Sequence, residues 1–481
     1  MTKKRIFIIA DHGMALIYFL QSDVVQTLLD SGIEIVLFTD DETKDRIAER
    51  FGQDGLIFEG LRLKEANKYA KSVQPRIQAL LIYLRRVGGS WRINNEAEDS
   101  HIWEVLKENT WKFRIGIWLP SAIAILFLRS FKWARKLLVR MQMNFTADIY
   151  ADLFEKYQPD LVIASTAGWR IDRYMLREAV KHNVPSMAAI IGWDNPSSYA
   201  IPGAFMDWAT CWSQKQKDEL VRGSDWVADR VHIGGIPSYD GYFRKTWLMP
   251  RDEYFKLHDL DPNRKLISYA CSFVHFAPNY PNVEALAKMV DSGQLDEDAQ
   301  LLIRLHPSHF QDRPAIFAEE RELIHALEEK YDNVHVVRPV ALGGSLGYYG
   351  GEDMDEKTSM MAYSDVFVTV YSTMVVEAAV HDRPIVAAVI DVPGGWNRSG
   401  KYSLALQKIG GWPTHLRFRE ANAGRVAKNA AELQNIVNAY LNNATLDGQE
   451  RKTFIEQEIT YTDATSGKRT AEFILKVLGE E

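Results

Sequence analysis

The sequence predicts an α/β protein of two Rossmann-like, doubly wound domains facing a cleft, with a helical insertion in the N-terminal domain. Three observations carry this expectation. Short apolar, β-rich runs alternate with helical stretches over most of the chain, the pattern of parallel sheets covered by helices on both faces. These runs fall into two series, separated by the turn-forming stretch Gly234-Gly235-Ile236-Pro237. At 481 residues the chain is long enough to bury two large cores.

The first series opens with RIFIIADHGMALIYFLQSDVVQTLLDSGIEIVLFTDD, which reads as strand, loop, helix and strand. Gly32 marks the helix end, and Glu34 to Phe38 forms the next buried strand. Further strands are expected at Asp160 to Ser165, Ser186 to Ile191, Asp207 to Trp212 and Val231 to Ile233. The second series comprises Leu266 to Cys271, Gln300 to Leu305, Val334 to Arg338, Asp365 to Val370 and Ile385 to Ile390. The expected domains are therefore 1–235, an acceptor domain, and 236–458, a nucleotide-donor domain. A C-terminal helix, 459–481, crosses back to the first domain.

Between about 64 and 144 the chain departs from a simple doubly wound half. This stretch is helical, basic and rich in Trp, Leu and Ile, and its centre, IGIWLPSAIAILFL, is interrupted by Pro120 and Ser121. Spanning a bilayer takes roughly 20 apolar residues, so the run is too short to cross one. Arg114, Arg129, Lys132, Arg135, Lys136 and Arg140 flank it, interleaved with Trp111, Phe113, Trp118, Phe131 and Trp133. Three readings stand: contact with an anionic membrane surface, a homo-oligomer interface, or a helical bundle packed on its own domain.

The net charge of −7 argues against nucleic acid as a partner. Cys211 and Cys271 sit in apolar strand-like runs and read as buried thiols of a reducing compartment. With no signal-peptide core at the N-terminus, the expected location is cytoplasmic, with a peripheral position on the inner membrane face if the insertion meets lipid.

Candidate chemistry gathers where strands end. Asp11-His12 follows the first strand, and either side chain could act as a general base; the bland alternative is a structural turn. Loops Ser165–Arg170 and Gly192–Ser198 each combine an indole with polar groups, which suits a sugar or polyol, and Asp194 is the third candidate base. In the second domain Ser272 ends one strand, while Arg304 and His306 end the next and point the same way. A cation and an imidazole beside a diphosphate would stabilise it as a leaving group, although an Arg–acid pair and a capped His fit equally simple structural roles. Ser372 and Thr373 precede a helix expected from Met374, whose start suits a phosphate, and Glu377 is placed to hold a ribose. An ordinary capped helix with a solvated Glu is the competing reading. No His, Cys, Asp and Glu cluster has metal-ligand spacing, and P-loop and GxSxG motifs are absent, so no metal and no cofactor beyond a nucleotide co-substrate is expected.

Three stretches, VHIGGIPSYD, LLIRLHP and SDVFVTVYSTMVVEAAVHDRPIVA, resemble the GT-B glycosyltransferase superfamily, near CDP-glycerol glycerophosphotransferases and UDP-GlcNAc 2-epimerase-like proteins. The C-terminal TYTDATSGKRTAEFIL resembles the helix that crosses back in that architecture. The resemblance implies that Arg304, His306, Ser372, Thr373 and Glu377 contact a donor nucleotide, with the base at Asp11, His12 or Asp194. Where the phosphotransferases carry Asp-Tyr-Ser-Ser, this chain has Val370-Tyr371-Ser372-Thr373, followed by Glu377. That departure favours a nucleotide diphosphate sugar as donor and a lipid-linked or envelope-glycan hydroxyl as acceptor, in a metal-independent transfer. Glycerol-phosphate transfer from a CDP-alcohol is the alternative, and a non-catalytic scaffold at a membrane is a third.

Overall fold

A computed structural model describes residues 3–108, 114–198, 201–273, 278–311, 315–340, 343–346, 351–391 and 406–479. It divides into two compact units: 1–240 with 342–351 and 459–481, and 241–341 with 352–458.

The first unit is built on a seven-stranded parallel sheet of order β3-β2-β1-β4-β5-β6-β7. Its strands are β1 (Arg5–Ile9), β2 (Glu34–Thr39), β3 (Leu56–Gly60), β4 (Leu161–Ala164), β5 (Ser186–Ala189), β6 (Trp208–Cys211) and β7 (Val231–Ile233). Alternation along each strand feeds two separate cores. Ile6, Ile8, Ile35, Leu37 and Ile163 pack on one face. Phe7, Ile9, Val36, Phe38, Val162 and Ala164 pack on the other. Burial on both faces is why these strands read as near-continuous apolar runs.

The helix Ser466–Leu478 packs on the helix Asp23–Asp30 in this unit. Asp240 caps its start, accepting hydrogen bonds from the Ser466 and Gly467 N–H groups at 3.1 and 2.8 Å. Gly235 is required nearby: its φ is +79°, and a Cβ there would lie 2.5 Å from Ser466 Oγ.

The second unit carries a six-stranded parallel sheet of order β10-β9-β8-β11-β12-β13. These are β8 (Lys265–Ala270), β9 (Ala299–Arg304), β10 (Val334–Val337), β11 (Val366–Thr369), β12 (Ile385–Ala388) and β13 (Arg425–Ala427). β3 and β13 are not anticipated from sequence. Both are edge strands, one short and half-polar (LIFEG) and the other three residues long, so neither produces a buried-strand signature.

The insertion forms the helices Leu63–Ser72, Pro75–Val87, Glu96–Glu108, Leu119–Ser130 and Lys132–Met143, with a π-helical turn at Arg114–Trp118. Trp111 and Phe113 lie outside the described residues. Pro120 does not break the apolar run but opens a helix at its first turn, where a missing N–H costs nothing. The inner side has a core of its own, including Leu81, Leu84, Ile125, Leu128 and Leu138. Two expected membrane-facing cations turn inward: Arg129 pairs with Asp99 at 2.7 Å and Arg135 with Asp225 at 2.6 Å. Among the described residues no single helix is long and apolar enough to cross a membrane; the pair Gly116–Ser130 and Lys132–Met143 bends by 117°. Both cysteines are buried free thiols.

Candidate functional site

In a doubly wound sheet ligands gather at the carboxyl ends of the strands, where the strand order reverses direction. In the first unit that reversal lies between β1 and β4. Asp11 and His12 follow β1, and Ser165, Thr166 and Arg170 follow β4. Asp11 bridges the two strand ends: its Oδ1 accepts a hydrogen bond from Ser165 Oγ at 2.9 Å and lies 3.7 Å from Arg170 Nε. Its side chain is fully buried, and Oδ2 has no hydrogen-bond partner. Burial raises the Asp11 pKa, and the charge of Arg170 and the Ser165 hydrogen bond offset part of that rise.

Asp172 is buried beside it and organises the loop. It accepts hydrogen bonds from the Thr166 hydroxyl, the Gly168 N–H at 3.1 Å and the Arg170 N–H at 3.0 Å. Burial and the neighbouring Asp11 charge push its pKa up to about 6. Two carboxylates thus share one desolvated crevice, and their titrations are linked. Sequence reasoning named Asp11 but missed Asp172, which reads as an ordinary helix-start acid.

His12 caps the helix Gly13–Leu20, its Nδ1 accepting a hydrogen bond from the Ala15 N–H at 3.1 Å. That bond requires a bare Nδ1, so the neutral ring carries its proton on Nε2 and offers a donor. Burial lowers its pKa to about 3. Asp194 is exposed at the head of the short helix Asn195–Ser198. Its carbonyl accepts hydrogen bonds from the Ser197 and Ser198 N–H groups at 3.1 and 2.9 Å, and its Oδ2 accepts one from Ser198 Oγ at 3.3 Å. The indoles expected to face a sugar do not: Trp169 and Trp193 are 8% and 1% exposed, because both rings fill the core.

In the second unit the reversal lies between β8 and β11. Ser272 follows β8, His306 follows β9, and Ser372 and Thr373 follow β11; all four side chains are partly exposed. Ser372 Oγ accepts a hydrogen bond from the Met374 N–H at 3.3 Å, at the start of the helix Met374–Val380. The His306 Nδ1 accepts a hydrogen bond from the Ser308 N–H at 3.1 Å, which leaves the proton on Nε2. Burial lowers its pKa to about 3, so His306 presents a neutral N–H rather than a charge.

One buried carboxylate fixes two of these loops. Glu320 accepts hydrogen bonds from the Asn279 N–H at 2.7 Å and the Tyr280 N–H at 2.9 Å. Its other oxygen accepts one from His309 Nε2 at 3.0 Å. Asn279 in turn accepts a hydrogen bond from the Ser272 N–H at 2.8 Å, and His309 Nδ1 accepts one from the His306 N–H at 3.0 Å. Glu320 therefore ties the ends of β8 and β9 together.

The two charged residues expected at the donor are engaged inside the unit. Arg304 is 6% exposed and bonds Glu356 and Asp353 at 2.7 and 2.8 Å. Glu377, also 6% exposed, lies 2.5 Å from both Lys357 Nζ and the Tyr242 hydroxyl. The Arg304 geometry is the Arg–acid pair noted from sequence; Glu377 is not the solvated Glu of the competing reading but a buried carboxylate held by a cation and a hydroxyl. Asp353, Glu356 and Tyr242 lie 49, 52 and 135 positions from their partners, and Lys357 lies on a different helix from Glu377, so local patterns do not reveal them. Of the loop after β10, Ala341 and Leu342 lie outside the described residues. Among the described residues no group of three or more His, Cys, Asp or Glu could hold a metal ion.

A family model described as CDP-Glycerol:Poly(glycerophosphate) glycerophosphotransferase matches residues 207–476 of this chain. No curated protein matches it. Among solved structures, UDP-GlcNAc 2-epimerase from Neisseria meningitidis, bound to UDP-GlcNAc, is 10% identical with a TM-score of 0.56, covering 98% of this chain and 100% of that one. The 2-epimerase from Methanocaldococcus jannaschii, in complex with UDP-GlcNAc and UDP, is 12% identical with a TM-score of 0.53, covering 98% and 99%. A glycosyltransferase from Rickettsia africae is 11% identical with a TM-score of 0.51, covering all of both chains. At these identities the likeness is one of fold, and it bears out the expected GT-B architecture of two Rossmann-like domains.

Proposed function

The chain belongs to the CDP-glycerol:poly(glycerophosphate) glycerophosphotransferase family and is a transferase, and on that premise we propose that it moves a glycerol-phosphate-type unit from a CDP-alcohol to a hydroxyl acceptor. The observation that carries this reading is the family match through residues 207–476, which spans the whole second sheet. The main sequence argument for a sugar nucleotide rested on Glu377, whose carboxylate is held by Lys357 and Tyr242. With that argument weakened, the family's own donor class is the simpler assignment.

In this reaction the acceptor oxygen attacks the phosphorus bearing the glycerol. The bond from that phosphorus to the bridging oxygen breaks, and CMP leaves with the electron pair. The acceptor proton passes to Asp11, whose buried carboxylate keeps one oxygen outside its Ser165 hydrogen bond and is the best base in the first unit. His12 and Arg170 supply donors beside it. In the second unit we assign donor contacts to the Nε2–H of His306, the Ser272 and Ser372 hydroxyls and Thr373. The transfer needs no bound metal in this proposal, and turnover should persist in EDTA.

A sugar-nucleotide donor is the second reading, favoured by Val370-Tyr371-Ser372-Thr373 in place of the family's usual turn. Thermal-shift titration separates the two. Ligand at a hundredfold over its Kd adds about 2.7 kcal/mol of stability, readily seen as a rise in Tm. CDP and CMP should give the largest shifts, and CDP-glycerol should release CMP in the presence of a polyol-phosphate acceptor. A dominant response to UDP or GDP, with turnover of the matching sugar nucleotide, would overturn the glycerol-phosphate assignment.

A further inference from the structure

The family match begins at residue 207, so family membership does not account for the helical insertion. One of its helices, Pro75–Val87, reaches the first switch point from within the same unit. Its buried face carries Gln78 and Arg85, seven positions and two helical turns apart, so both side chains point the same way. Gln78 accepts a hydrogen bond at 3.1 Å from the hydroxyl of Tyr174, on the helix Asp172–Lys181. Arg85, 3% exposed, donates from Nη1 to the Gly168 carbonyl and from Nη2 to the Trp169 carbonyl, the latter at 3.1 Å. The fit leaves no slack: a Cβ on Gly203 would collide with both the Gly168 oxygen and Arg85 Nη1.

The loop after β4 has no regular structure, so the partners of its buried polar groups decide its shape. Asp172 collects donors, accepting hydrogen bonds from the Gly168 and Arg170 N–H groups and from the Thr166 hydroxyl. The carbonyls go elsewhere: Ala167 accepts from the Gly203 N–H at 2.8 Å, and Gly168 and Trp169 accept from Arg85. A carboxylate and a guanidinium thus grip one loop through opposite poles of its peptide groups. The same loop delivers Ser165 and Arg170 to Asp11. The Arg170 side chain is 42% exposed, so its own pairing with Asp11 is too weak to hold the loop in place. We propose that Arg85 is a positioning residue of the transfer reaction, through which the insertion braces the β4 loop against Asp11 and sets a buried cation beside the paired carboxylates. This rests on Asp11 as the base, but not on the identity of donor or acceptor. Charge supports the same assignment. The ionisable groups around Asp172 are Asp11 and His12 after β1, Tyr150, Arg177 on its own helix, and Arg85. Arg85 lowers the Asp172 pKa against the rise caused by burial and Asp11, and inside a desolvated crevice its charge is little screened.

The test uses the full chain, the donor that the wild type turns over, and the variants R85M and R85K. R85M removes the charge and both donors, and the misplaced loop should lower kcat about 10²-fold. Donor KM and the nucleotide thermal shift, which report on donor contacts in the second unit, should stay the same. The acid limb of the kcat/KM profile should move to higher pH, because linked carboxyls that lose a nearby cation ionise later. R85K keeps the charge without the guanidinium fork, so it should return the limb to its wild-type place and recover only part of kcat. If R85M does not fold, R85K carries the test through a reduced kcat at unchanged donor KM. A lower Tm with kcat and pH profile unmoved would overturn the proposal and leave Arg85 a stabilising residue. D11N separates this result from failure of the base assignment. Full activity in D11N overturns both, whereas an inactive D11N beside fully active Arg85 variants overturns the brace alone.

Discussion

At the first switch point Asp11 and Asp172 are buried together, with one Asp11 oxygen lacking a partner and both pKa values raised. At the second, burial also raises the Glu356 pKa, but Glu320, Glu356 and Glu377 already hold N–H donors or cations, and the imidazole facing outward is neutral. The same strand topology thus serves two electrostatic ends. Asp11, with one oxygen lacking a partner, keeps a lone pair available for proton transfer, while Asp172 spends both oxygens holding the loop. Fully bonded carboxylates stiffen loops that present neutral donors, which suits holding a ligand.

The contrast is broken most sharply at Asp11. D11N keeps the shape and the Ser165 contact but removes the base, so kcat should fall about 10²–10⁴-fold with an unchanged nucleotide thermal shift. Loss of nucleotide binding together with kcat would instead make Asp11 a structural residue. At the second switch point the larger effect is on stability. R304M would leave Asp353 and Glu356 buried without their cation, at a cost of roughly 3–5 kcal/mol seen as a lower Tm. CDP affinity of the folded fraction should hardly change. If Arg304 touches the diphosphate, affinity would fall first and the inference from its ion pairs would fail.

Much of the fold was legible because strands buried on both faces, such as Phe7-Ile8-Ile9 and Val366–Thr369, write continuous apolar runs. The strand ends then located Asp11, His12, Ser272, His306 and Ser372, since a polar residue following such a run lies at the carboxyl edge of the sheet. Partner choice was not legible. Glu377 looks the same in sequence whether it meets a ribose or Lys357, and Trp193 looks the same facing a sugar or filling a core. Those outcomes depend on which element, 20 to 135 residues away in these contacts, packs over the strand end. The insertion's cations, among them the exposed Lys132, Lys136 and Arg140, were legible only in part: the sequence showed the basic charge, but the direction of Arg129 and Arg135 depends on where Asp99 and Asp225 fall.

The smallest predicted effect sharpens the comparison by titration. Arg170 is partly exposed and 3.7 Å from Asp11, so the ion pair is worth at most about 1 kcal/mol, or roughly fivefold in rate. Its charge lowers the pKa of Asp11 against the rise caused by burial. Since the base must be ionised, activity should climb as pH rises through that pKa. R170Q removes the lowering influence, so the acid limb of the kcat/KM profile should move to higher pH and the two profiles should converge on the alkaline side. Folding stability runs the other way. A carboxyl whose folded pKa exceeds its unfolded value favours the folded state below the unfolded pKa, and that contribution is lost as pH rises through the folded pKa. In R170Q the Tm should therefore decline more steeply with pH at the same values where activity is gained. A uniform loss of rate at every pH would detach Arg170 from Asp11 and return it to simple acceptor binding.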